Sequence, residues 1–333
     1  MKNTQKIDFY VNGRFLSQKI TGVQRVAVEV SSRLNNKLII QSPAGKLSIF
    51  YEQLVFPFKC KGKPLISFCN VGPIFVRNQF LYIHDVAVFE NSNWFSWAFS
   101  KYYKLLLPIL ARRVKKIITV SNFSKREIVK HLKVSPDKVE VIYNGVSSGF
   151  DVAINKSIKE KLIITVSSLD PRKNLTSVIS AWKKSKLKLE GYRLVVIGGS
   201  FSNFQNDDCF TNDSSIQFTG YVSDNELKEF YQKASGFVYM SQYEGFGLPV
   251  LEAMLAKIPV LTSNTTSLKE IAIGHSLMCD PLDIDAIAAN LDSLPDLESK
   301  TLEGAYSFAK AFTWDKAADN LLSIIERSEN EET

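Results

Sequence analysis

Short apolar runs rich in β-branched and aromatic residues recur along the chain, each closed by a polar turn. In the first half they are IDFYVN from Ile7, KLIIQS from Lys37, LISFCN from Leu65, FLYIHD from Phe80, KIITVS from Lys116 and VEVIYNG from Val139. In the second they are KLIITVSSL from Lys161, YRLVVIGGS from Tyr192, SIQFTGY from Ser215, GFVYMS from Gly236, IPVLTS from Ile258 and SLMCD from Ser276. Several are apolar on both faces, as strands covered by helices on both sides must be, and helical patterns alternate with them from about Lys116 onward. This alternation predicts α/β structure with parallel sheets, and two sets of six predict two doubly wound, Rossmann-like domains. Turn residues and charges break the periodicity after Gly145, in VSSGFDVAINKSIKEK, so the expected domains are 1–150 and 151–308. A closing segment, 309–333, carries a helix from Trp314 to Ile325 long enough to cross back over a neighbouring domain, and the acidic tail SENEET reads as disordered. Ser223 with Glu226, and Ser267 with Glu270, have the spacing of capping boxes at helix starts.

Composition narrows the class. A length of 333 residues fits two domains of roughly 100 to 200 residues each. With 45% hydrophobic and 23% charged residues, disordered, fibrous and collagen-like chains are excluded. The net charge of +7 is unevenly held: residues 1–155 carry 23 Lys and Arg against 9 Asp and Glu, and the remainder 18 against 25. Cys60, Cys69, Cys209 and Cys279 lie far apart and read as reduced, buried apolar residues. The N-terminus has Lys2 and Lys6 but runs straight into a strand, unlike a signal peptide, and no apolar run reaches the roughly 18 residues of a membrane span. The expected location is cytoplasmic, with any membrane contact peripheral.

Ligands of doubly wound sheets bind at the carboxyl ends of strands, where helix N-termini attract anions. Three segments there carry candidate chemistry. In MSQYEGFGLPVLEAM, Gly245 and Gly247 permit a tight turn, Pro249 suits a first helical turn, and Glu244 and Glu252 flank a row of amides. Those carboxylates suit a ligand with sugar hydroxyls and phosphate; the plainer alternative is a glycine-rich turn with two solvated glutamates. In VSSLDPRKNL, Arg172 and Lys173 stand at a helix start, where cations are unfavourable unless an anion is bound, so a phosphate site and two solvated basic residues both stand. In the first domain Gly22 opens a helix, and His84 ends a strand where it either acts on a substrate hydroxyl or is structural. Asp283 and Asp285 form an Asp-x-Asp that helix capping explains without a metal. There is no GxGxxG fingerprint, Walker loop or GxSxG elbow.

The segment SQYEGFGLPVLEAM closely resembles the signature of the retaining glycosyltransferases of family four, which have the GT-B fold of two Rossmann-like domains facing across a cleft. TGVQR at Thr21, IHD at Ile83, ITVSNFSK at Ile118, IYNGV at Ile142, DPRKN at Asp170, FTGYVSD at Phe218 and SNTTSLKE at Ser263 agree in order, so the resemblance spans nearly the whole chain. It implies a C-terminal domain that holds a nucleoside diphosphate sugar, with Arg172 and Lys173 on the diphosphate, Val222 and Asp224 near the base and Glu252 on the ribose. Glu244 and the amides around Phe246, Gly247 and Leu248 would address the sugar and phosphate; Gly22 would approach the diphosphate and His84 the sugar. No metal and no further cofactor are implied, since positive charge stabilises the leaving group. Ser167 and Ser168 stand where the family often has Gly followed by Arg or Thr, and Lys257 where a glycine is usual.

The implied reaction moves a hexose, first mannose from GDP-mannose, to a saccharide acceptor, a lipid-linked intermediate of bacterial O-antigen, capsule or other surface polysaccharide. An epimerase or phosphorylase of the same fold, or a non-catalytic sugar-binding partner subunit, is the alternative. Between Trp94 and Lys116, six aromatic residues interleave with six basic ones. Such a stretch either lies on an anionic inner membrane or is a core helix with a basic outer face. No motif supports nucleic acid as a partner.

Overall fold

The computed structural model describes residues 8–18, 21–41, 47–151, 159–167, 170–198 and 213–331. Lys2, Lys6, Ser168, Cys209 and much of the interdomain turn lie outside them. The chain forms two compact units, one of residues 1–145 with 313–333 and the other of 146–312.

In the first unit the strands are β1 (Phe9–Asn12), β2 (Lys37–Ile40), β3 (Leu65–Ser67), β4 (Gln79–Tyr82), β5 (Lys116–Thr119) and β6 (Val139–Val141). They form one parallel sheet in the order β2-β1-β3-β4-β5-β6. Helices α1 (Gly22–Arg33), α2 (Leu47–Cys60), α3 (Ala87–Glu90), α4 (Trp97–Arg113) and α5 (Asn122–Leu132) connect them, and α12 (Trp314–Asn330) closes the unit. Helices therefore alternate with strands well before Lys116. Pro57 and Pro108 lie inside α2 and α4. The inner face of α4, Leu106, Leu107, Leu110 and Ala111, packs with Leu81, Ile83 and Ile117 of the sheet.

Helix α12 packs against α1 and is anchored at both ends, by Arg33 to Asp315 (2.9 Å) and by Lys115 to Glu329 (2.7 Å). It runs five residues beyond the expected Ile325, and the first part of the SENEET tail is helix rather than disorder: Ser328 is buried and Glu329 is ion-paired. Gly145 passes directly against this helix start. A Cβ there would lie 2.2 Å from the Trp314 amide nitrogen, so packing leaves room for no other residue.

The second unit repeats the plan with β7 (Leu162–Val166), β8 (Arg193–Ile197), β9 (Ile216–Gly220), β10 (Gly236–Tyr239), β11 (Val260–Ser263) and β12 (Leu277–Cys279). Their parallel order is β12-β11-β10-β7-β8-β9. Its helices are α6 (Leu175–Lys184), α7 (Asp224–Lys233), α8 (Leu248–Leu255), α9 (Thr266–Ala272), α10 (Ile284–Ser293) and α11 (Ser299–Lys310). Trp182 is fully buried among Ile163, Leu194 and Leu291, and its indole N–H donates to Ser215 Oγ at 2.9 Å. Strand order reverses between β7 and β10, which makes their carboxyl ends the topological switch point of this sheet.

Two capping expectations resolve differently. Ser223 and Glu226 form the capping box of α7. Ser267 does not cap α9: Thr265 is the N-cap residue, because Thr266 turns the chain at φ 57° and puts Ser267 inside the first turn. Of the cysteines, Cys60 and Cys279 are buried and Cys69 is half-buried, and burial pushes each of the three thiols up to about 11. Lys257 takes up the left-handed turn expected of a glycine, at φ 52°, and pairs with Glu303 at 2.8 Å.

Candidate active site

The two richest segments of the sequence follow β7 and β10, the strands that flank the switch point. They are tied together by their backbones: the carbonyl of Arg172 accepts from Gln242 N at 2.7 Å and from Ser241 Oγ at 2.8 Å. Asn174, buried in a left-handed conformation, adds a second tie. Its side-chain amide donates to the carbonyls of Met240 (3.1 Å) and Pro281 (2.6 Å), and its oxygen accepts from Ser177 and Gln242. All its bonding capacity is thus used to hold three loops in register.

On this frame Lys173 meets Glu244 across 71 residues of sequence, with Nζ 2.6 Å from Oε1. The Tyr239 hydroxyl lies 2.7 Å from each. Burial alone would raise the Glu244 carboxyl, but the Lys173 ammonium, with hydrogen bonds from Lys173 and Tyr239, outweighs it and holds Glu244 below its ordinary range. Arg172 behaves differently. Its guanidinium forks onto Asp170, with Nε 2.9 and 3.0 Å from the carboxylate oxygens, and Asp170 also accepts from the Arg172 amide. The cation at the start of this turn is therefore answered within the loop, without an anion being needed.

Beyond Glu244 the chain turns through Gly247, at φ 108°, into α8. A Cβ on Gly247 would meet Leu268 Cδ2 at 2.5 Å. Ser267 anchors this loop, donating to the carbonyls of Glu244 (2.8 Å) and Phe246 (2.9 Å), so the first amides of α8, from Leu248, are fixed in direction. Glu252 lies inside α8, 5% exposed, with Tyr231 Oη donating to Oε2 at 3.4 Å. Val222 and Asp224 follow β9, half-buried and exposed respectively, Asp224 as the first residue of α7. β9 is two strands from β7, about 10 Å at the usual strand spacing, along the same edge of the sheet. Asp283 caps α10 through the Ala286 amide (2.9 Å), and Asp285 pairs with Lys184 (2.6 Å).

In the first unit Gly22 begins α1 at an exposed position, and a Cβ there would meet nothing within 4 Å. His84 is 6% exposed, and its Nε2 lies 2.8 Å from the carbonyl of Phe68. A carbonyl only accepts, so Nε2 carries the proton; burial also lowers the imidazole pKa, leaving Nδ1 as the acceptor of a neutral ring. Asn70 fixes the His84 amide at 2.8 Å, and Ser124 donates to its carbonyl at 3.0 Å. Tyr239 and Asn70 carry no motif signal of their own and are found only through their contacts; Ser267 is marked in the sequence as a capping residue, and its role in anchoring this loop emerges only from the structure.

The family model described as "Glycosyl transferases group 1" matches residues 150–326, and that of "Glycosyltransferase Family 4" matches residues 77–149. The chain belongs to the glycosyl transferases group 1 family. It is a glycosyltransferase of the GT-B fold. O-antigen chain mannosyltransferase B of Escherichia coli is 29% identical over 262 residues, covering 72% of this chain and 68% of that protein. O-antigen chain mannosyltransferase RfbU of Salmonella typhimurium is 33% identical over 233 residues, covering 68% of this chain and 64% of that protein. The crystal structure of Anabaena Alr3699/HepE in complex with UDP superimposes with a TM-score of 0.77 at 14% identity, covering 97% of this chain and 100% of that one.

Proposed function

We propose that this glycosyltransferase transfers a hexose, with mannose from GDP-mannose first, to a lipid-linked saccharide in the assembly of a bacterial surface polysaccharide. The observation that carries the reading is the Lys173–Tyr239–Glu244 cluster beside the amides of α8, a fixed cation and a fixed carboxylate at the sheet's switch point. The printed descriptions of both O-antigen relatives support mannose and the polysaccharide. Nucleotide binding by the fold is supported by HepE, which was crystallised with UDP.

In this reading Lys173 and the first amides of α8 take the diphosphate, whose negative charge grows as the anomeric bond breaks. Arg172 contributes from its Asp170-paired position. Glu244 and the backbone at Phe246, Gly247 and Leu248 orient the sugar, Glu252 takes the ribose, and Val222 with Asp224 adjoin the base. Gly22 gives the diphosphate an unobstructed approach to the first unit, and the neutral His84 offers Nδ1 to a sugar hydroxyl. No carboxylate is set aside as a nucleophile, because Glu244 is committed to Lys173 and Tyr239; the reaction is metal-independent and keeps the anomeric configuration. The acceptor's lipid draws the protein to the inner, anionic face of the cytoplasmic membrane through α4.

Thermal unfolding with GDP, UDP, ADP and dTDP, each with and without its sugars, tests the donor, since a ligand bound only to the folded state raises the melting temperature. GDP and GDP-mannose are expected to give the largest rise. A rise with UDP sugars alone would overturn the mannosyl assignment. Proton NMR of the product then reads the anomeric configuration, and EDTA should leave the rate intact.

A further inference from the structure

Tyr239 ends β10 with 3% of its surface exposed, and its hydroxyl closes a triangle with Lys173 Nζ and Glu244 Oε1 whose sides are 2.7, 2.7 and 2.6 Å. The hydrogen-bond directions follow from chemistry. An ammonium only donates and a carboxylate only accepts, so the phenol oxygen accepts from Lys173 and its single proton goes to Glu244. Lys173 directs two of its three N–H groups into the triangle, which leaves the third for an anion. An anion that shares the Lys173 charge removes part of the compensation of Glu244, which stays enclosed. The phenol hydrogen bond survives that event.

We infer that Tyr239 is a positioning residue of the donor site: its hydroxyl sets Lys173 and Glu244 against each other and keeps Glu244 ionised while Lys173 engages a diphosphate. The inference rests on the donor-site reading given above. The other charged groups bearing on the triangle are Arg172, itself paired with Asp170, from the loop after β7, and Glu252 from α8. The Ser241 hydroxyl gives its proton to the Arg172 carbonyl, and Ser267 of α9 reaches the Glu244 backbone carbonyl and not the side chain. Burial, followed by the charge of Glu244, pushes the Tyr239 phenol well above its ordinary range, so it remains a proton donor throughout the working pH range.

The test uses the full chain labelled with ¹³C at the Glu carboxyl carbon, with the Glu244 resonance identified by its loss in Glu244→Gln. Its midpoint is followed from pH 3 to 8 in the wild type and in Tyr239→Phe, free and saturated with GDP or UDP. In the wild type the midpoint should stay low with nucleotide bound. In Tyr239→Phe it should rise by about one to two pH units, the equivalent of one hydrogen bond to a charged group, and rise further when nucleotide binds. Tyr239→Met, which fills similar space without a hydroxyl, serves as the second variant if the phenylalanine chain melts early. A Glu244 midpoint unmoved in the folded variant would overturn the role of Tyr239 even with GDP or UDP bound. Failure of the wild type to bind any nucleoside diphosphate by calorimetry would instead defeat the donor-site reading, whatever the midpoint does.

Discussion

Lys173 is the residue on which most of the site's electrostatics converge. If Lys173 holds the diphosphate as proposed, replacing it with Ala removes a charge-assisted bond to it, and nucleoside diphosphate affinity measured by calorimetry should fall about 10- to 150-fold, equivalent to roughly 1.5–3 kcal/mol. Unchanged affinity would refute the assignment. The same substitution acts on the empty protein through Glu244, whose side chain is 14% exposed. In the wild type the folded pKa of Glu244 is depressed, so its stabilising contribution is present above the unfolded value near 4.3 and lost as pH falls through the folded value. Without Lys173, burial wins and the folded pKa rises. The variant should therefore be less stable than the wild type at pH 7 by about 1–3 kcal/mol, and thermal melts should show that deficit shrinking toward pH 4. Equal deficits at both pH values would show that the ion pair does not govern Glu244. Arg172, for all its proximity in sequence, should behave otherwise, because Asp170 already takes its guanidinium.

At the scale of elements, the loop before α8 depends on a hydroxyl from another helix. Ser267→Ala leaves the carbonyls of Glu244 and Phe246 without that donor and should raise the KM for the donor several-fold while costing about 1–2 kcal/mol of stability; an unaltered KM would show that the loop holds itself. Gly145→Ala drives a methyl group into the Trp314 amide and should lower the melting temperature by several degrees, as expected for backbone overpacking of about 1–3 kcal/mol; a wild-type melt would contradict the contact. These two residues mark what the chain's pattern makes legible. Gly145 lies where periodicity breaks, and the central strands, β3, β4, β7, β8, β10 and β11 among them, are visible as buried apolar runs, because a strand covered on both faces can carry almost nothing else, whereas the edge strands β2 and β9 are largely unburied. Helix α2 is harder to read: Phe50, Leu54 and Phe58 are exposed while Phe56 and Cys60 are buried, so both faces are apolar and no helical period stands out. Ser267 fits a capping pattern that says nothing of the positive φ at Thr266. The cations and carboxylates of the proposed donor site are each identifiable in sequence, but their pairing is not, since strand order brings β7 beside β10 across 71 residues.

For the whole molecule, the uneven charge seen in the sequence finds a physical surface. In the first unit the outward face of α4 carries Trp97 and Leu105, each 71% exposed, with Tyr102, Ile109, Lys101, Lys104, Arg112 and Arg113 around them. The Lys101 ammonium lies 4.1 Å from the Trp97 ring centroid. So the helix is both things its sequence allowed, a core helix inside and a basic aromatic face outside. The surface continues beyond it. Arg113 donates to the Ile74 carbonyl and lies over the exposed ring of Phe75, and Gln53 of α2, a helix that exposes Phe50, Leu54 and Phe58, bonds to Gly72 and Ile74 of the same loop. Apolar rings rimmed by Lys and Arg match an anionic bilayer, to which each basic residue near the surface adds roughly 1 kcal/mol. Sedimentation with vesicles should show binding when they contain phosphatidylglycerol and little with phosphatidylcholine alone, weakening as salt rises because the charges are screened. Trp97→Ser with Leu105→Ser should reduce the binding about tenfold at low salt while leaving nucleoside diphosphate affinity unchanged, since neither residue belongs to the proposed donor site. Binding indifferent to both lipid charge and these substitutions would remove the membrane from the reading and leave the basic surplus to the acceptor saccharide alone.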